Sequence, residues 1–223
     1  MRKLPPQPAN GPSRRPKART EVIGLRSRLR SSVGGLIADR GAGRRLPVVS
    51  AEIRLRPVSE EDLALLYRLF SDPAATSEYE WHGWLDPQRL RRQWEENRLL
   101  GEDGGKLMVV LGDDTLGFVA WRKRSTGFRS FCWDLGITLA PDARGHGHGT
   151  AAQRLLMRYL FAHTQVTRIG AETEITNIAE QRALEKAGFT REGVLRSVMF
   201  RDGQWHDGVT YSILRHEVDL NQE

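Results

Sequence analysis

The chain has 223 residues, of which 34 are basic, 28 are acidic and 39% are hydrophobic, and it contains one cysteine. This length fits one ordinary domain with an extension or two very small domains, and the hydrophobic content is enough for a core. The sequence holds no apolar run of about 20 residues, which excludes a membrane-spanning helix, and one cysteine excludes an internal disulfide. Because the N-terminus also lacks the apolar stretch of a secretory signal, we expect a cytoplasmic protein without a membrane partner.

Residues 1–50 differ in composition from the rest of the chain. They hold twelve basic and two acidic residues, six prolines, six glycines and no aromatic residue. Such a segment has too little apolar surface to offset the entropy of ordering, so it is predicted to be a disordered basic extension. Three interpretations stay open: a flexible extension, a start codon assigned too far upstream, and a basic arm that recruits the protein to the ribosome or to RNA.

Residues 51–223 form the predicted folded domain. They hold 22 basic and 26 acidic residues, so we expect no nucleic-acid partner for the domain itself. The first elements predicted from periodicity and from turn residues are a strand at 53–57, a helix from Ser59 to Pro73, a helix from Asp86 to about Leu100, and strands at 107–111, 115–122 and 131–139.

The second half of the domain alternates helices with strands. The predicted elements are an amphipathic helix that follows a glycine loop and runs to His163, a strand at 169–175, a helix at 177–187, and strands at 189–196 and 199–215 with a turn at Asp202–Gly203. This order predicts a layered α/β domain with a mixed sheet.

The loop Arg144–Thr150 has three glycines in five residues, between a predicted strand and a predicted helix. Glycines let the backbone approach a ligand closely, and the N–H groups at a helix N-terminus attract an anion. The pattern therefore favours a phosphate site, with a tight turn that binds nothing as the alternative. The Gly149–Thr150 step lacks the lysine of a Walker loop, and the G-x-G-x-G spacing and late position differ from those of a dinucleotide fold.

The segment 137–150 resembles the acetyl-CoA-binding motif of the GNAT superfamily, in which Arg144, Gly147 and Gly149 match Q/R-x-x-G-x-G/A. Residues 177–189 look like the second signature of that family, an asparagine followed by a helix that ends in Gly-Phe. The C-terminal stretches 191–196, 202–207 and 211–215 resemble the RimJ/RimL branch. The resemblance covers about residues 52–218. It implies a GNAT fold, with a mixed, mostly antiparallel central sheet flanked by helices and the glycine loop between the fourth strand and the next helix.

The resemblance also implies an activity. A GNAT enzyme transfers the acetyl group of acetyl-CoA by direct attack of an amine, which here is carried by a small molecule or by a protein N-terminus. The cosubstrate is acetyl-CoA, no metal is expected, and the protein is expected to be a monomer or a homodimer. The residues that the resemblance places at the cosubstrate are Ile137, Thr138, Leu139, Arg144, Gly145, His146, Gly147, His148, Gly149, Thr150, Asn177 and Arg182.

The catalytic acid and base are not evident from the resemblance. Where many family members carry a tyrosine or a serine as the acid, this chain has Leu184 and Glu180. Asp134, on the strand before the loop, is the candidate base, and Glu172 and Glu174 are weaker candidates. Because the two familiar acids are absent, a non-catalytic acyl-CoA-binding module stays open as the alternative to an enzyme.

Aromatic residues are candidates for the acceptor site. Trp81 and Trp84 lie in the link between the first two helices, and Trp205 lies beyond the last turn. Each is expected either to line an acceptor pocket or to anchor the core. His146 and His148 form an H-x-H pair without a third ligand nearby in the sequence, so we expect no metal there.

Overall fold

The structure is a computed structural model that describes residues 52–81, 83–84 and 86–220. The prediction for residues 1–50 lies outside the described residues. In the described ranges, none of the helices combines the length and the apolar character that crossing a membrane requires.

The elements alternate much as the sequence predicts. In chain order they are β1 (Ile53–Pro57), α1 (Leu63–Ser71), α2 (Pro87–Asn97), β2 (Leu100–Gly101), β3 (Gly104–Leu111), β4 (Asp114–Gly127), β5 (Ser130–Leu139), α3 (His148–His163), β6 (Arg168–Glu174), α4 (Ile178–Ala187), β7 (Thr190–Arg201) and β8 (Gln204–Leu214). The predicted α/β class and the mixed, mostly antiparallel sheet are confirmed.

The strands form one sheet in the order β1-β3-β4-β5-β6-β8-β7, with the short β2 paired to β3. Among the described strand pairs, β5 and β6 are the parallel one, and they pair over three positions, from Trp133–Ile169 to Leu135–Ala171. Beyond Leu135 and Ala171 no further pairs follow, so the two strands diverge. This divergence opens a cleft in the middle of the sheet.

Alternate side chains of the sheet face two separate helical layers, as the period of two requires. On one face, α3 and α4 pack through Leu156, Leu160 and Leu184 onto the buried side chains of Leu135 and Ala171. On the other face, α1 packs onto β3 and β4 through the buried residues Leu66, Leu69, Met108 and Phe118. The cleft therefore lies between two well-packed layers that hold its walls in place.

The start of α1 differs from the prediction. Ser59 does not cap the helix; the Asp62 carboxylate accepts hydrogen bonds from the Ser59 N–H (2.8 Å) and hydroxyl (2.9 Å), and α1 begins at Leu63. Arg56 on β1 pairs with the same carboxylate at 2.5 Å. The contact between Ser59 and Asp62 is the one that a capping box predicts, but the helix begins after Asp62, and a local pattern does not reveal the ion pair with Arg56.

The end of α2 also differs from the prediction. Asp86 caps the helix as expected, since its side chain accepts from the Gln88 N–H at 2.9 Å. The helix ends at Asn97 because Arg98 and Leu99 adopt left-handed backbone angles, with φ of 58° and 57°. Residues 100–101 then form β2, so the glycine loop follows the fifth strand and not the fourth.

Candidate active site

The cleft between the diverging ends of β5 and β6 has a volume of about 760 Å³, within the usual range of small-molecule sites. Five segments line it: the link between α1 and α2, the end of β5 with the glycine loop, the end of β6, α4, and β7 through Met199. Of the residues predicted to bind the cosubstrate, ten line the cleft: Ile137, Thr138, Leu139, Arg144, Gly145, Gly147, Gly149, Thr150, Asn177 and Arg182.

The glycine loop presents an uncapped helix N-terminus to the cleft. Gly145 and Gly147 have positive φ angles of 79° and 82°, and a Cβ at either position would meet no protein atom within 4 Å. Gly147 is the N-cap of α3, and no side chain there bonds the first-turn N–H groups. These N–H groups have no intrahelical partner, so they are available to an anion. The loop therefore fits the pyrophosphate of CoA.

Helix α4 adds positive charge beside the loop. The Thr150 hydroxyl lies 3.5 Å from the carbonyl oxygen of Ala183, which places the first turn of α3 against the middle of α4. Arg182 and Lys186, on either side of Ala183 in the sequence, both line the cleft. Lys186 was not predicted from the sequence, although its i, i+4 spacing from Arg182 is a signal that two cations share one face of the helix.

Arg144 lines the cleft, but its side chain is engaged with backbone. Its Nε donates to the Leu139 carbonyl at 2.9 Å, and its Nη2 donates to the Ala75 carbonyl at 2.8 Å. The guanidinium thus ties the loop to the end of β5 and to the link after α1. These contacts show Arg144 as a support of the loop, and direct contact with the cosubstrate stays a prediction.

The end of β5 forms one wall of the cleft. Gly136 lines it, and a Cβ there would enter open space. The Thr138 hydroxyl donates to Glu80 of the α1–α2 link at 2.8 Å. Because pairing with β6 stops at Leu135, the backbone edge of residues 136–139 on that side faces the cleft. Sequence reasoning missed Gly136 and Glu80, since neither belongs to a motif.

The α1–α2 link closes one side of the cleft by reaching across it. The Tyr79 hydroxyl donates to the Thr176 carbonyl at 3.2 Å, just after β6. The Arg201 guanidinium, on β7, lies 5.7 Å from the centre of the Tyr79 ring. The link, the end of β6 and the β7–β8 hairpin therefore meet at this side of the cleft.

Glu174 and Glu172, both on β6, line the cleft, and the pKa values of their carboxyls are shifted in opposite directions. Burial raises the pKa of Glu174, but hydrogen bonds from Arg201 and Thr176 outweigh burial and hold the pKa below its usual value. The Arg201–Glu174 distance is 3.0 Å, and the His206 Nδ1 lies 3.3 Å from the same oxygen. Burial, followed by the charge of Asp134, raises the pKa of Glu172 above its usual value.

The first turn of α4 holds Asn177 and Glu180 at the cleft. Asn177 caps the helix, with its side-chain oxygen accepting from the Glu180 N–H at 3.2 Å. The Glu180 carboxylate accepts from Gln153 Nε2 on α3 at 2.5 Å. Burial raises the pKa of Glu180 to about 7. In the sequence, Glu180 stands out only because it occupies the position of a serine in other family members. The burial of its carboxyl could not be predicted, since it depends on α3, which is distant in the chain.

Several predicted residues lie away from the cleft lining. Asp134 is buried and ion-paired with Arg122 at 3.0 Å and Arg124 at 3.1 Å, so its role as the base stays a prediction. Trp81 and Trp84 pack edge to face at 5.3 Å, and Trp84 is 81% exposed.

Trp205 is 63% exposed and packs on Phe200 of the same hairpin. His146 and His148 lie 3.0 and 3.2 Å from backbone carbonyl oxygens of Arg144 and Ala143. Within the described residues, no group of three or more His, Cys, Asp or Glu is placed to hold a metal ion.

Comparison with known proteins agrees with this geometry. A family model described as an acetyltransferase (GNAT) domain matches residues 52–190. The N-acetyltransferase YoaA of Bacillus subtilis is 33% identical over 170 residues, which cover 72% of this chain and 92% of YoaA.

Two solved structures share the fold. Spermidine N-acetyltransferase from Vibrio cholerae, solved with CoA and spermine, has a TM-score of 0.65 at 19% identity over 74% of this chain and 97% of its own. RimL, a ribosomal L7/L12 α-N-protein acetyltransferase solved with CoA, has a TM-score of 0.63 at 18% identity over 75% of this chain and 96% of its own.

The chain belongs to the GNAT acetyltransferase family, and the predicted family is confirmed. It is an acyltransferase, and the likeness to RimL agrees with the resemblance to the RimJ/RimL branch.

Proposed function

We propose that the protein transfers an acetyl group from acetyl-CoA to a primary amine of a small molecule that carries further positive charge. The observation that carries this proposal is the opposite charge of two parts of the cleft lining. The glycine loop, Arg182 and Lys186 attract anions, whereas Glu78, Glu80 and Glu172 attract cations.

The first part fits the cosubstrate, which supplies the acetyl group when bound. The N–H groups of residues 145–150 would hold the pyrophosphate, with Arg182 and Lys186 as its counter-ions. Asn177 and residues 137–139 would contact the pantetheine arm and the thioester. A backbone N–H of β5 beyond Leu135 would donate to the thioester oxygen as charge develops there.

The second part fits the acceptor. Glu172 is half-buried, and burial, followed by the charge of Asp134, makes its ionised form costly. A cationic ligand beside Glu172 relieves that cost, because an opposite charge favours the ionised carboxylate. The amine that attacks must be neutral, so the binding charge belongs to a second amino group of the acceptor.

Transfer is proposed to be direct, without an acetylated cysteine. Cys132 is 1% exposed on β5 and is not among the residues that line the cleft. The spermidine N-acetyltransferase from Vibrio cholerae, which shares the fold and was solved in complex with CoA and spermine, supports a polyamine as a candidate acceptor.

The test is release of free CoA thiol by the full chain with three acceptors: spermidine, a monoamine of similar length, and a peptide with a free N-terminus. We expect the fastest release with spermidine. Glu172→Gln should raise the KM for spermidine about ten- to hundredfold, since a charge-assisted contact contributes roughly 1.5–3 kcal/mol and 1.4 kcal/mol is tenfold. The KM for acetyl-CoA should stay within about twofold.

Glu102→Gln is the matched control, because Glu102 is an exposed residue in the turn after β2 and its loss changes the net charge equally. Its kinetics should equal those of the wild type. Faster release with the peptide than with spermidine would assign the acceptor to protein N-termini. Tight acetyl-CoA binding without thiol release for any amine would identify a non-catalytic module and refute the proposal.

A further inference from the structure

The carboxyl groups on α4 and β6 that line the cleft differ in their ability to give up a proton at neutral pH. Glu174 is held ionised by Arg201 and Thr176, as its lowered pKa shows. Glu180, in contrast, has a pKa of about 7 because of burial. At neutral pH the Glu180 carboxyl is therefore protonated about half of the time, which a general acid requires.

The neighbours of Glu180 come from three elements. Gln153 on α3 is fully buried, and its Nε2 donates to Glu180 Oε1 at 2.5 Å, which favours the ionised form. Asn177 on the same helix turn accepts from the Glu180 backbone N–H and leaves its carboxyl untouched. Among the described residues, the charged group that acts on Glu180 is Glu80 of the α1–α2 link, which favours the neutral form.

This arrangement assigns the proton to one oxygen. Oε1 of Glu180 accepts the hydrogen bond of Gln153, and an amide N–H cannot take up a proton from a carboxyl. With the Gln153 amide in this orientation, the proton of neutral Glu180 is carried by Oε2. Because Glu180 lines the cleft, that proton is available to a bound molecule.

We propose that Glu180 is the catalytic acid that protonates the thiolate of CoA as the thioester breaks. This inference rests on the proposed function. The C–N bond forms from the lone pair of the neutral amine, the C–S bond breaks with its electron pair on sulfur, and Glu180 gives its proton to that sulfur. The extra proton on the new amide nitrogen goes to water, and Glu180 regains a proton from water.

Two observations favour the thiolate over the amine as the partner. Glu180 lies on α4, the helix that also carries Arg182 and Lys186 beside the glycine loop. An alkylthiol has a pKa of about 8.5 and an alkylammonium about 10.4. A carboxyl with a pKa of about 7 therefore protonates a thiolate downhill, whereas its carboxylate removes an ammonium proton uphill.

The test compares the full-length wild type with Glu180→Gln, which keeps an acceptor for Gln153 Nε2. We expect kcat at pH 7 to fall about 100-fold, in the range of general-acid catalysis, and the Kd for acetyl-CoA to stay within twofold. In the wild type, kcat should rise with pH as more of the amine is neutral and level off above about pH 7 as Glu180 ionises, whereas in Glu180→Gln it should keep rising. Glu102→Gln should keep the wild-type rate and pH profile.

A second readout needs no turnover. Infrared difference spectra of the protein without ligands should show a carboxylic acid band that disappears with a midpoint near pH 7, and Glu180→Gln should lack it. If Glu180→Gln does not fold, the proposal is tested by the midpoint of this band in the wild type and by the kcat of Glu180→Asp.

Three results overturn the proposal: a Glu180→Gln kcat within threefold of the wild type, an unchanged pH profile, or a carboxyl that titrates near pH 4.5. If the wild type releases thiol, any of these results refutes the role of Glu180 and leaves the proposed function intact. Absence of thiol release by the wild type defeats both.

Discussion

At the scale of the residue, Glu180 links the stability of the fold to pH. Its pKa is about 7 in the folded protein against an ordinary value of 4.5, so between these pH values the folded chain binds more protons than the unfolded chain. Stability contributed by Glu180 is therefore fully present below pH 4.5 and is lost as the pH rises through 7.

The prediction is a comparison of wild type and Glu180→Gln by denaturant unfolding from pH 4 to pH 8. The glutamine cannot ionise, so the wild type should lose stability relative to the variant as the pH rises. The pKa difference corresponds to at most about 3 kcal/mol by pH 8, at 1.36 kcal/mol per unit. A stability difference that does not vary with pH would show that Glu180 ionises normally in the folded state.

The properties of single residues in the cleft were the hardest features to predict from the sequence. The loop glycines and Asn177 were found because each belongs to a contiguous motif. The environment of the Glu180 carboxyl depends on its hydrogen bond with Gln153. The position of the Glu80 carboxylate at the cleft depends on its hydrogen bond with Thr138. Such contacts join residues that are 27 and 58 positions apart, and no local pattern encodes them.

At the scale of the element, α3 and its glycine loop form the anion site, and the prediction concerns the position that begins the helix. Gly147 has a φ of 82°, and a Cβ there would stand in open space in front of the uncapped N–H groups. Gly147→Val should weaken acetyl-CoA binding by about one to three powers of ten, because one or two charge-assisted hydrogen bonds are lost at roughly 1.5–3 kcal/mol each.

Gly203→Val is the matched control. Gly203 has a φ of 77°, and a Cβ there also meets nothing within 4 Å, but it lies in the β7–β8 turn outside the cleft lining. Both variants carry the same backbone strain, about 1–2 kcal/mol, so both should lower the Tm by similar amounts. Calorimetric titration with acetyl-CoA separates the two. Equal affinity in both variants would contradict the assignment of the loop to the pyrophosphate.

Element boundaries were predicted well where local chemistry decides them. Asp86 caps α2 and Gly188 ends α4 with a φ of 104°, both as expected from turn and cap residues. The prediction was wrong at the start of α1, where Arg56 of β1 competes for Asp62, and at the end of α2, where Arg98 and Leu99 turn left-handed to reach β2. Neither the Arg56–Asp62 ion pair nor the left-handed turn before β2 is encoded in local helix propensity.

At the scale of the whole molecule, the fold followed from periodicity and order, whereas the cleft did not. Alternating apolar residues locate the strands, but the parallel pairing of β5 and β6 over three positions is a property of the assembled sheet. The site exists because these strands diverge between two helical layers with separate cores. The motifs therefore indicate a ligand, and the topology supplies the space for it.

The last prediction concerns the basic segment 1–50, which we propose is dispensable for folding and catalysis. The family match begins at residue 52, and the sheet, the two cores and the cleft lining described above are built from residues 53–220. A chain that starts at Ala51 should therefore keep the Tm of the full chain within about 2 °C, and kcat and the Kd for acetyl-CoA within a few-fold. Thermal melts with and without CoA measure the first, since a ligand that binds the folded state raises the Tm by mass action. Steady-state thiol release measures the kcat of both chains.

Added RNA should lower the activity of the full chain and not of the truncated chain if the segment is a nucleic-acid arm. A truncated protein that melts like the full chain but loses more than tenfold in kcat would place the segment in the catalytic machinery and refute this prediction.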